Sequence, residues 1–319
     1  MGRKDTVTKA YMRNNSVFAN AFNYLIYGGK TVVDPEKLHE LDTTEIALPF
    51  VQEENGTRKE EAVQKYRDVL KSAVIKRDNE AAYILLGIEN QTDIHYAMPV
   101  RNMIYDALQY GKQVADIAAR HRTKDDNTKT HNRGEYLSGF NQKDKITPVI
   151  TLVLHFGAEA WDGPMSLHEM MSVQDRELLK FVPDYQLHLI DPARLNKTEL
   201  EKFSTSLSAV LGYIKYSKNR KELSEFLKDH PHMEVEADAA RVTKEITKTR
   251  LDIPKNAEVI DVCQAIEDML TERAAESKAE GKLELLAELV QNGDLTLKRA
   301  AEKAGMSVEE FQKTVATIK

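Results

Sequence analysis

Apolar residues recur at helical spacing in Val17, Phe18, Ala21, Phe22 and Leu25, which predicts a helix over 6–27, stopped by Gly28-Gly29. An extended segment, Ile46–Phe50, and a polar loop through Asn55-Gly56 follow. The segments 65–70 and 83–91 then read as strands, with a polar turn, Lys76–Glu80, between them. The run 81–88 is almost continuously apolar, which predicts a central strand buried on both faces. Pro99 suits the first turn of a helix over 98–121. In that helix Val100, Ile104, Ala107 and Leu108 form the stripe expected to pack on a sheet, with Arg101, Tyr105 and Gln109 on a polar stripe. The stretch Arg122–Thr147 is polar and aperiodic, hence a loop, and 148–156 reads as a second buried strand. The order strand–strand–helix–strand predicts an α/β fold, a mixed sheet covered by helices.

Beyond Pro192 the pattern is helical only. Helices are expected over Thr198–Tyr216, over Lys221–Lys228 and near 234–250. A longer helical pattern runs from Glu258 through Ile260, Cys263, Ile266 and Leu270, and resumes at Leu283, Leu286 and Leu289. The end reads helix–turn–helix: Leu297–Ala304, Gly305-Met306-Ser307, then Val308 onward, with Ser307 and Glu310 spaced as a capping box. Val308-Glu309-Glu310 puts negative charge where a reading helix would meet the major groove, so packing or a homo-oligomer contact is the expectation there. These breaks divide the chain into 1–195, a helical extension 196–255, and a helical tail 256–319 with a helix-turn-helix-like end.

The 319 residues can bury a sizeable core. No apolar run is long enough to span a membrane, and the N-terminus lacks a secretory pattern. Cys263 is the single cysteine; it excludes an internal disulfide, fits a cytoplasmic location, and is expected as a buried thiol. The net charge of −6 weighs against nucleic-acid binding without removing it, because 1–15 and 119–133 lean basic.

The chemistry concentrates in the strand pair. A hairpin centred on Asp78-Asn79 sets Asp68 and Glu89 equally far from its tip and so opposite each other. Opposed residues share a face, with Cβ atoms roughly 4.5–5.5 Å apart. Two such carboxylates repel unless a cation sits between them, and Mg²⁺ is held by one or two carboxylates plus phosphate oxygens. Gln91 shares a face with Glu89 and can orient water but carries no charge. Lys65, Arg67 and Lys71 fall on the other face from Asp68. Glu40, Asp42 and Glu45 are expected to cap or solvate their segment. His121, His131, His155 and His168 lack zinc-ligand spacing and are expected at the surface or in loops. Lys124, Lys129, His131 and Arg133 form a basic loop diluted by Asp125 and Asp126. Neither a phosphate-binding glycine loop nor a nucleophile elbow is present.

The pattern Asp68…Glu89-Asn90-Gln91 resembles the PD-(D/E)XK nuclease superfamily, and within it the transposase-like, recombination-promoting nuclease group, in which Gln often stands for the motif Lys. Met98–Tyr105 is similar to that group's helix with Arg and Tyr four apart. Pro148–Gly157 and Trp161 are similar to its next strand, glycine and tryptophan, and Val17–Leu25 to its opening helix. The resemblance implies a restriction-endonuclease-like mixed sheet flanked by helices, with an α-helical C-terminal extension. It implies an endonuclease that hydrolyses DNA phosphodiesters with Mg²⁺, for which Mn²⁺ can substitute. Asp68, Glu89 and the carbonyl of Asn90 would hold the metal, Gln91 would orient water, and Arg101 and Tyr105 would engage phosphate. DNA is the implied partner, with no membrane. The alternatives are a catalytically inactive DNA-binding or assembly protein that keeps the fold, and a nuclease acting on RNA.

Overall fold

The computed structural model describes residues 2–41, 44–45, 49–54, 57–62, 65–66, 68–77, 80–122, 132–230, 233–249, 251, 253–254, 256–261 and 281–311. Its frame is a five-stranded sheet of β1 (His39–Glu40), β2 (Val69–Arg77), β3 (Glu80–Gln91), β4 (Val149–His155) and β5 (His188–Ile190), in that spatial order. β1, β2 and β3 pair antiparallel, whereas β4 and β5 run parallel to β3. The sheet is therefore mixed, helices flank it, and the fold is the α/β, restriction-endonuclease-like one expected.

One face packs on α1 (Arg3–Arg13), α2 (Asn15–Tyr27), α4 (Leu207–Tyr216) and α5 (Ala237–Thr247). Leu86, Ile88, Leu152 and Leu154 are fully buried there, beside Phe18, Phe22, Leu211 and Val242. Each contributes roughly 1.5–3 kcal/mol by leaving water. The other face is covered by α3 (Met98–Arg122) and the crossover from β4 to β5, where Met98, Val153, Trp161 and Leu187 form a second cluster. Gly157 opens that crossover because a Cβ there would strike the His155 ring.

Several expectations need correction. The opening helix is two helices, broken at Asn14 (ψ 122°), whose side chain caps Ser16 N–H at 2.9 Å. The polar flanks of the central hairpin are strand: Lys76↔Ala81 and Arg77↔Glu80 are paired, and only Asp78 and Asn79, outside the described residues, remain for the tip. Asn55-Gly56, also outside them, joins two paired strands, Pro49–Glu54 and Thr57–Ala62. That is the Asn-Gly hairpin signal, hidden by charged flanks. Residues 133–138 of the expected loop form a helix capped by Asn132. The region after Pro192 is not purely helical, since Glu234–Glu236 pairs with Val259–Asp261. Helix 198–216 is broken into Lys197–Leu200 and α4. Ser307 and Glu310 do form the capping box, with bonds of 3.2 and 3.0 Å. Cys263, His131, Lys124 and Lys129 lie outside the described residues.

α3 is the element that most directly builds the site, and its facing reverses the expectation. Asn102, Tyr105, Asp106 and Gln109 are buried, while Val100, Ile104 and Leu108 are half-buried and Ala107 is exposed. Polar contacts hold it antiparallel to β4. Gln113 accepts from Thr147 N–H at 2.6 Å, Tyr110 accepts from Val149 N–H at 3.1 Å, and Thr151 donates to Asp106 at 2.5 Å. Asp106 also accepts from Tyr185 at 2.6 Å, which ties the crossover down. Buried polar groups need such partners, so the polar stripe faces inward.

Candidate active site

The register of β2 and β3 steps one for one from Arg77↔Glu80 to Val69↔Ile88, so the next pair is Asp68 and Glu89. Regular pairing stops there, and Asp68 occupies the end of the ladder. Its Oδ2 accepts the Asn90 N–H at 2.8 Å, and its own N–H donates to Glu89 Oε1 at 3.4 Å. The two acids thus meet at one end of the strand pair, each touching the other's backbone segment. Glu89 is fully buried and Asp68 half-buried.

Arg101, from the first turns of α3, brings its guanidinium within 3.1 Å of Glu89 Oε2. The contact is an ion pair. Its Nε donates to Tyr105 Oη at 3.3 Å, and the guanidinium lies 5.6 Å from the Tyr105 ring centroid. Burial works against the Arg101 charge, but Glu89 and Tyr105 outweigh it and hold the group above its ordinary value. Burial pushes the Asp68 carboxyl up; the Asn90 N–H, Lys9 and Arg101 pull it back, and Asp5 adds to the rise. Two desolvated acids meeting at one end of the ladder repel each other, and a divalent cation relieves that repulsion. The donor set is hard oxygen, which suits Mg²⁺. Among the described residues no group of three or more His, Cys, Asp or Glu side chains stands at metal spacing. A metal here would rest on two carboxylates plus a carbonyl, water or phosphate.

Gln91 is half-buried, two residues along β3 from Glu89. Asn90 is 8% exposed, and among the described residues neither atom of its amide has a hydrogen-bond partner. Tyr105 is buried behind Arg101 and reaches the site through it. Glu40 turns to Arg13 at 3.2 Å. Asp42 lies outside the described residues. Lys71 is on the opposite face from Asp68 as expected, but it is fully buried: its ammonium donates to Arg13 O at 2.5 Å and Asn15 Oδ1 at 2.6 Å. His155 is a buried strand residue, not a surface one, because it closes β4 beside Gln91.

Sequence reasoning missed Lys9, Asn102 and Asp106. Asn102 and Asp106 stand four apart on α3, a spacing that places them on one face. Nothing local marks Lys9, which meets Asp68 only through the packing of α1 on β2 and β3.

A family model described as "Putative transposase, YhgA-like" matches residues 54–245. The matched span holds β2 to β5, α3 and both acids, and it leaves out α1 and α2. No curated protein and no solved structure matches the chain.

Proposed function

The chain belongs to this YhgA-like family of PD-(D/E)XK-type transposases, and from that premise we propose that it is a metal-dependent endonuclease cutting DNA phosphodiesters. The observation that carries the reading is the meeting of Asp68 and Glu89 at the end of the β2–β3 ladder, with Arg101 against Glu89.

Asp68, Glu89 and the Asn90 carbonyl would hold Mg²⁺ or Mn²⁺, which when bound polarises a phosphoryl oxygen and activates water. Gln91 orients the attacking water with its amide. Arg101 offers a planar fork of N–H donors to a phosphate oxygen, and Tyr105 steadies that fork rather than touching phosphate itself. Asn90 N–H fixes the Asp68 carboxylate.

A second reading is a DNA-binding or assembly protein that does not cut. The neutral Gln91 and the two-carboxylate donor set favour it.

Nicking of supercoiled plasmid separates the two. Wild type is expected to cut with Mg²⁺ or Mn²⁺ and to stop with EDTA, and Asp68→Asn and Glu89→Gln are expected not to cut. Equal cutting by Asp68→Asn would remove the site. Duplex binding without cutting under either metal would establish the second reading. RNA and DNA oligonucleotides compared side by side decide the substrate.

A further inference from the structure

Asn102 is fully buried on α3, and among the described residues neither its Oδ1 nor its Nδ2 has a hydrogen-bond partner. Its place in the fold is set by the polar rungs between α3 and β4. Gln113 lies at Thr147, Tyr110 at Val149 and Asp106 at Thr151. Each step back along α3 by three or four residues advances two along β4. Continued one step, the series places Asn102 level with Val153, whose register partner across the sheet is Glu89. Met98, one turn earlier, packs in the same cluster as Val153, which fixes the direction of the series. The three lower rungs close with hydrogen bonds, whereas the strand residue at this level is apolar and stands next to the acid in register.

A buried amide with no partner is costly, and a leucine of similar size would remove the cost. A buried, unsatisfied polar group takes an ordered water where a second polar group converges on the same space. Asn102 supplies a donor and an acceptor, and Glu89 supplies carboxylate oxygen from the adjoining rung.

We propose that Asn102 is a positioning residue whose amide holds an internal water against Glu89. The water braces the carboxylate from the α3 side and keeps its orientation when Arg101 turns to phosphate. This rests on the endonuclease reading for its effect on rate, but not for the water itself.

The test uses the full chain, with Asn102→Leu and Asn102→Ser. Asn102→Leu is expected to melt at or above the wild-type temperature, because an unsatisfied amide has gone. Its kcat is expected to fall roughly 10–100-fold, the usual loss for a group that orients a metal ligand, with KM for duplex DNA unchanged. Asn102→Ser, which keeps a hydroxyl and leaves room for water, is expected to recover most of the rate. High-resolution crystals of wild type are expected to show density bridging the Asn102 amide and Glu89. Wild-type kcat in Asn102→Leu, or no bridging density, overturns the proposal. If Asn102→Leu fails to fold, the density decides. If the wild type cuts nothing, the endonuclease reading falls, and the density alone judges the water site.

Discussion

Arg101 sets its guanidinium 3.1 Å from the Glu89 carboxylate, and it comes from a helix whose polar stripe faces the sheet. Removing one member of a buried ion pair strands the other, typically at ~3–5 kcal/mol. Because the Arg101 side chain is 30% exposed, Arg101→Met is expected to lose less, about 2–3 kcal/mol, when measured in EDTA. A divalent metal can replace the missing charge. Thermal melts should therefore show a larger Mg²⁺-induced rise for Arg101→Met than for wild type. Equal rises in the two proteins would mean that Arg101 and the metal do not share Glu89.

Gln91 stands where most of the superfamily carries lysine. If it orients water, Gln91→Ala lowers kcat by about 10²-fold, the lower end of the range for a group that assists proton transfer, and leaves metal affinity in place. Single-turnover cutting and Mn²⁺ titration measure the two separately. Unchanged turnover would leave Gln91 without a role.

Lys71 gives a pH signature away from the site. Burial pulls its ammonium below the ordinary 10.5, Glu40 opposes the fall and Arg13 adds to it. The unfolded chain then binds more protons than the native one between the depressed value and 10.5, so this group makes stability rise with pH through that window. Urea melts should show this rise in wild type and lack it in Lys71→Met. Lys71→Ala is expected to lose on the order of 2–4 kcal/mol at neutral pH, since Arg13 O and Asn15 Oδ1 lose their donor.

Asp106 pins α3. With Thr151 at 2.5 Å and Tyr185 at 2.6 Å, Asp106→Ala removes the acceptor from the buried Thr151 hydroxyl and one acceptor from the half-buried Tyr185 hydroxyl, and is expected to cost about 2–4 kcal/mol by denaturant unfolding. Tyr185→Phe removes one of the two bonds and should cost about 1 kcal/mol. A neutral outcome for Asp106→Ala would mean that α3 is held by its apolar contacts alone.

The facing of Asp68 and Glu89 was legible in the chain because a tight antiparallel hairpin converts sequence distance into spatial pairing. The buried strands and the span of α3 were legible from their apolar runs and Pro99. The orientation of α3 was not. Its apolar and polar stripes have similar width, and only Thr147, Val149 and Thr151, more than thirty residues away, show which one the sheet can satisfy. Lys71 was placed on the correct face, yet its burial depends on the α1–α2 corner closing over it. The pairing of Glu234–Glu236 with Val259–Asp261 escaped because three-residue strands carry no measurable period.

Because the acids sit at the open end of a hairpin, they are coupled to its tip by parity. Trimming or extending both arms equally would keep the carboxylates on one side of the sheet. Losing a single residue from one arm would slip the register and turn one acid toward the helices on the far side. By this parity the hairpin should accept length change only in matched pairs, and an odd deletion near residue 78 should abolish the proposed metal binding while leaving both acids in the chain.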